Sequence, residues 1–389
     1  MHKIIYALLC ASCFTLLLAP AAAQDDTDPL AQTMHYLPAD WIDSQSIVLW
    51  YQNRAGIYQA RPGVPQIDSL SAFARLTTRE QQVWDANARR MTHPIPGLLT
   101  ARDVLVDGWL VDNLEFYGNP FAISHSLTFY LPLPPATPLP YAEVQLGRFN
   151  PEDLIRNVDQ FTDFTLGEWG ELRLTAWAVG LDEYDTLLMA PNQSVRRVEA
   201  YSAMLAARAG AGIQDATGLV GELYAVAVAN PQGDLLQAIL MQPNHVIPRP
   251  RSERIESEIA LDAGYQILPM TSRLALLDYQ DGQEQVAQIN AVFADAAEAE
   301  WAGIILTYNL ELLAEVGGYG DVQAQVEAPV ILSLPGDAGA LLSVSVRYPM
   351  PSNEPDAEGR LVPSGVVFRA WADAVKGSGF GPILVYGLE

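Results

Sequence analysis

The sequence predicts an α+β fold, with antiparallel sheets backed by helices on one face and two similar-sized domains after a cleaved leader. Three observations carry this. Strand-like and helix-like stretches are mixed without a regular βαβ rhythm, and adjacent strands read as hairpin-linked. The two cysteines, Cys10 and Cys13, both lie in the leader, so the exported chain must be held by burial and needs a real core. The proline- and charge-rich stretch PNHVIPRPRSERIESE, residues 243–258, reads as a domain boundary.

The leader is MHKIIYALLCASCFTLLLAPAAAQDD. Lys3 supplies a positive start, Ile4 to Leu18 an apolar core too short to span a bilayer comfortably, and Ala21 and Ala23 a small-residue cleavage site before Gln24. Residues 1–23 are therefore expected to be a signal peptide, and the protein secreted or otherwise extracytoplasmic. Lipidation at Cys13 fits less well, because the apolar run continues past the cysteine. Residues 24–33 are expected to be a mobile acidic lead-in, 34–242 an N-terminal α+β domain, 243–258 the linker and 259–389 a C-terminal α+β domain.

Each element follows from local pattern. SIVLWYQN (46–53) is β-rich. TTREQQVWDANARRM (77–91) reads as a helix capped by Thr77 or Thr78, with Glu80 in its first turn. ISHSLTFYLPLPPATPLPYAEVQL (123–146) reads as two strands around a stiff proline-rich connection. LGRFNPEDLIRNV (146–158) ends a strand and starts a helix at Asn150 and Pro151; Glu152 and Asp153 occupy the helix N-terminus that would otherwise attract an anion. ELRLTAWAV (171–179) reads as one strand, TGLVGELYAVAVAN (217–230) as a buried helix and DLLQAILMQ (234–242) as a strand.

In the second half, SRLALLDY (272–279) reads as a strand and DGQEQVAQINAVFADA (281–296) as a helix, with Asp281 as its cap and Glu284 in its first turn. EAPVILSLP (327–335) and ALLSVSVRYP (340–349) read as a hairpin, and GVVFRAWADAVKG (365–377) as a helix. A strand, capped turn and helix ending in Phe161 or Phe293 would then occur in both halves, the pattern a diverged duplication leaves. WAGIILTYNLELLAEVG (301–317) is the most membrane-like later segment, but Glu311 and Glu315 interrupt it, so no transmembrane segment is expected beyond the leader.

Charge narrows the partners. The formal net charge is −24, with no basic run, so nucleic acid is not an expected partner. Beyond the leader there is no cysteine and a single lysine, Lys376, which argues against thiol and Schiff-base chemistry. No G-x-S-x-G and no phosphate-binding glycine loop is present, and the histidines lack metal-ligand spacing.

Two carboxylate groups remain. In GEWGELRL (167–174), Glu168 and Glu171 flank Trp169, the combination of an acid, a base and a stacking ring that glycoside hydrolysis uses. LDEYD (181–185), with Asp182 and Asp185, gathers oxygen ligands of the kind Ca2+ takes, though without the spacing of a dedicated loop, so no cofactor is expected. The sequence thus points to a secreted or cell-surface binding or envelope-associated module without an evident catalytic site. The alternative is a secreted glycan-acting hydrolase using Glu168 and Glu171, with Trp169 as the stacking ring; Trp169, Asp182 and Asp185 are the candidate binding residues.

Overall fold

The computed structural model describes residues 28–38, 48–92, 120–130, 141–148, 161–162, 171–173, 177–182, 186–191, 204, 218–242, 264–269, 271–320, 322–334, 339–356 and 359–376. Among them are seven helices: α1 (Pro29–Met34), α2 (Arg54–Gln59), α3 (Leu70–Phe73), α4 (Thr78–Ala88), α5 (Leu219–Val228), α6 (Ala296–Glu315) and α7 (Val366–Lys376). The strands are β1 (Val48–Asn53), β2 (Ile123–Tyr130), β3 (Tyr141–Gly147), β4 (Phe161–Thr162), β5 (Glu171–Arg173), β6 (Trp177–Asp182), β7 (Thr186–Pro191), β8 (Asp234–Met241), β9 (Arg273–Asp281), β10 (Glu284–Phe293), β11 (Gln325–Val326), β12 (Val330–Ser333) and β13 (Ala340–Pro349).

All thirteen strands join one sheet in the order β11-β13-β10-β9-β8-β1-β2-β3-β7-β6-β5-β4, with β12 also paired to β13. The pairings are antiparallel, as the α+β class requires. The strands on either side of residues 243–258, β8 and β9, are hydrogen-bonded neighbours.

The helices, expected on one face, occupy both. Leu49, Tyr51, Leu127, Leu240, Leu277 and Val286 face α1 and α5. Alternating with that face, Trp50, Ile239, Met241, Leu276, Ala287 and Ile289 face α6 and α7. Central strands must then be apolar or internally satisfied at every position, which is why AILM in β8 and LALL in β9 are continuous apolar runs. Each fully buried leucine or isoleucine contributes roughly 2 kcal/mol.

Two-sided burial also explains a correction. Residues 284–293, read as a helix, form β10, paired along its length with β9 and β13. Asp281 does not cap a helix; it closes β9 opposite Glu284, across a turn whose Gly282 has φ 59°. The polar residues of β10 look surface-like in the sequence but are buried: Asn290 donates to the carbonyls of Val226 and Ala229 at the end of α5, at 2.8 and 2.9 Å. With Phe293 ending a strand, the strand–turn–helix unit expected in the second half is not formed, and the turn and helix expected in the first half lie outside the described residues. The single strand expected at 171–179 is instead two, β5 and β6, paired antiparallel.

Candidate interaction face

Among the described residues, three of the polar clusters join separate elements of the fold. Arg90, just past α4, donates to both carboxylate oxygens of Asp278 on β9, at 2.8 and 2.7 Å, to Gln280 Oε1 at 2.6 Å and to the Tyr279 carbonyl at 2.8 Å. Burial works against the guanidinium charge, and the Asp278 carboxylate more than restores it, holding the Arg90 pKa above its ordinary value. Gln237 links this pair to the chain around Arg90: its Nε2 donates to Asp278 Oδ2 at 3.0 Å and to the Arg90 carbonyl at 2.9 Å, and its Oε1 accepts from the Thr92 amide at 2.9 Å. The second cluster joins α2 to β2 and β3: Arg54 donates to Glu143 at 3.0 Å and Ser126 at 3.1 Å, and Gln145 donates to Glu143 at 2.8 Å. In the third, Asp28 caps α1 by accepting from the Leu30 amide at 3.0 Å and takes the Tyr224 hydroxyl at 2.5 Å.

Arg90, Asp278, Arg54 and Glu143 are each at most 1% exposed. All four side chains are closed to solvent. They hold helices to the sheet.

The outward side of α6 is different. Asp295 caps this helix by accepting from the Glu298 amide at 2.8 Å, and Glu298 accepts from the Ala294 amide at 3.0 Å. The inward face, Ala299, Ala302, Ile305, Leu306 and Leu310, is buried against β10 and β13. Gly303 sits where a Cβ would meet Pro329 at 3.2 Å, so β12 and the residues before it lie close on one flank. On the other flank, Asn309 accepts from the Gln266 amide at 2.8 Å and donates to its carbonyl at 2.9 Å, pinning the 264–268 segment.

Between these flanks a second stripe faces solvent. Trp301 is 58% exposed, Ile304 62% and Tyr308 42%. Their spacing, i, i+3 and i+7, puts them in one line along the helix. Ala297 extends the line at one end, and Glu311 and Glu315 continue it at the other, giving alternating steps of four and three residues. Glu300 stands beside Trp301. Ile267 and Val330, exposed on the two flanks, widen the apolar area.

α6 is thus apolar on two faces, of which only one is buried. This resolves the membrane-like reading of residues 301–317: none of the described helices is long and apolar enough to cross a membrane. Sequence reasoning missed the outward stripe because helical periodicity does not say which of two stripes is covered. The available signal was the four-three spacing from Ala297 to Glu315, which is a seam on the side opposite the core.

Of the residues singled out from sequence, Glu168, Trp169 and Asp185 lie outside the described residues, as do Ala21, Ala23 and Gln24 of the leader, the Asn150 turn and the 243–258 stretch. The backbone of Glu171 opens β5, and that of Asp182 closes β6 opposite Thr186.

No protein-family model matches the chain, and no curated protein matches it. Among solved structures it is similar to TP0453 in crystal form III, at 7% identity and a TM-score of 0.37 over 88% of this chain and 98% of that one. It is similar to crystal form I of the same protein at 9% identity and a TM-score of 0.35, covering 90% of this chain and 98% of that one. For crystal form IV the values are 8% and 0.34, over 81% and 93%.

Proposed function

We propose that the chain is an exported, non-catalytic binding module of the cell surface or envelope that docks a protein partner on the outward face of α6. The observation that carries this reading is the exposed line Trp301, Ile304 and Tyr308. Large apolar side chains gathered on one face, rather than scattered singly, mark interaction sites. Tryptophan and tyrosine are the residues that most often dominate binding energy at protein interfaces. The i, i+3, i+7 line is the anchor pattern of a helix laid against an apolar groove. The leader, with its Ala21 and Ala23 cleavage pattern, supports export.

The test is photo-crosslinking in intact producing cells, with a benzophenone side chain at position 308 and, as control, at the exposed Glu354. The expected result is a protein adduct of discrete mass from position 308, absent from position 354 and abolished by Ile304→Asp. Equal labelling from both positions removes the reading. Intact mass of the recovered protein checks export, because processing after Ala23 leaves Gln24 as the first residue.

A further inference from the structure

Resting on that docking reading, we infer that the partner is a basic amphipathic helix, which lays an apolar edge on Trp301, Ile304 and Tyr308 and sets lysine or arginine side chains over Glu311 and Glu315. Three features of α6 point to positive charge in the partner. The helix carries no lysine or arginine, while Glu300, Glu311 and Glu315 line its outward side. These three glutamates form no salt bridge among the described residues, whereas exposed acids elsewhere do: Arg347 alone engages Asp281, Glu284 and Glu327. Glu311 and Glu315 also stand one turn apart at the C-terminal end of α6, where the helix dipole is negative. Like charges at i, i+4 repel each other, and both are disfavoured by that dipole. A cation placed there relieves all of these contacts at once.

The geometry narrows the partner further. The outward line alternates steps of four and three residues from Ala297 to Glu315, the spacing that seats a second helix along the first. A second copy of this chain fits poorly, because two such faces would bring Glu311 and Glu315 against equally acidic surfaces on chains of net charge −24. A lipid surface fits poorly too, since it would draw Glu300, Glu311 and Glu315 down with the apolar line.

The experiment uses the full exported chain and designed helical peptides of about three heptads, with leucine at the seam and either lysine or glutamate at the flanking positions. Binding is followed by calorimetry and by the change in tryptophan emission, with Trp301→Phe identifying the reporting ring. The lysine peptide is expected to bind on the order of tenfold or more tighter than the glutamate peptide. Glu311→Lys with Glu315→Lys should reverse that preference, and Ile304→Asp should abolish both. Equal affinity for the two peptides, or no effect of the charge reversal, overturns the basic-partner inference and leaves apolar docking standing. A Trp301 response to phosphatidylcholine or phosphatidylglycerol vesicles with no response to either peptide overturns both readings. So does concentration-dependent self-association that Ile304→Asp removes.

Discussion

Arg90 grips Asp278 with two parallel hydrogen bonds, Nε to Oδ2 at 2.8 Å and Nη2 to Oδ1 at 2.7 Å, with both side chains shut away from solvent. The pair ties the end of α4 to the middle of the sheet, across 188 positions in sequence. A buried ion pair of this kind is a poor source of net stability but a severe loss when half is removed, because the remaining charge is left buried without its counterion. Asp278→Ala is therefore expected to cost about 3–5 kcal/mol. The double variant Asp278→Leu with Arg90→Met should lose less than Asp278→Ala alone, measured by urea unfolding. A double variant as damaged as the single would show that the pair itself, not the orphaned charge, sets the loss.

His125 is expected to give the fold a pH dependence. The ring stacks on Tyr51 with centroids 6.1 Å apart, and its Nδ1 lies 3.0 Å from Ser124 Oγ. Burial outweighs the nearby Asp28 carboxylate and pushes its pKa down to about 4. The unfolded chain, with histidine near 6.5, then binds the proton more readily than the folded one. This contribution is complete above about pH 6.5, drains away as pH falls and is fully lost below about 4. Between pH 7 and pH 5 the loss attributable to His125 is expected to be about 2 kcal/mol. His125→Phe should flatten the slope of unfolding free energy over that interval, and an unchanged slope would place the titration elsewhere.

Two glycines should respond differently to the same substitution. Gly282, in the β9–β10 turn, has φ 59° and no atom within 4 Å of an added Cβ. Gly282→Ala should cost only the left-handed backbone term, about 1–2 kcal/mol. Gly233 precedes β8 with φ 139°, and a Cβ there would meet the Gln280 carbonyl oxygen at 2.4 Å. Gly233→Ala must also push β8 away from β9, so it should cost clearly more. Thermal melts of the two variants side by side decide this, and equal losses would refute the clash.

Much of this fold is legible in the residues. The capping box at Thr77 and Glu80 marks α4, and the apolar runs of β8 and β9 mark central strands. β10 was not legible, because its buried Gln288 and Asn290 take partners from distant chain: Gln288 donates to the Asn230 carbonyl beyond α5, and Asn290 to the Val226 carbonyl within it. A polar residue satisfied inside the protein looks, in a linear pattern, like one facing water. The Asp281-Gly282 dipeptide did announce the hairpin, and helical spacing of Val286, Ile289 and Phe293 masked it. The α6 face was hidden by the opposite effect: an exposed apolar residue looks, in sequence, like one that is buried.

Ile304 and Ile305 make that last distinction measurable. They are adjacent in α6 and chemically identical, yet Ile304 is 62% exposed and Ile305 only 2%. Ile305 packs with Leu306 and Leu310 in the core between α6 and the sheet, so Ile305→Ala leaves a cavity and is expected to cost about 2–5 kcal/mol. Ile304→Ala loses little buried area and gains helix propensity, so its stability should stay within about 0.5 kcal/mol of the parent. Chemical unfolding of the two variants tests the assignment of the faces without any partner. If Ile304→Ala unfolds as readily as Ile305→Ala, the outward stripe is part of the core and the docking reading fails. If it unfolds like the parent, Ile304 lies outside the core and its apolar surface stays free for a partner.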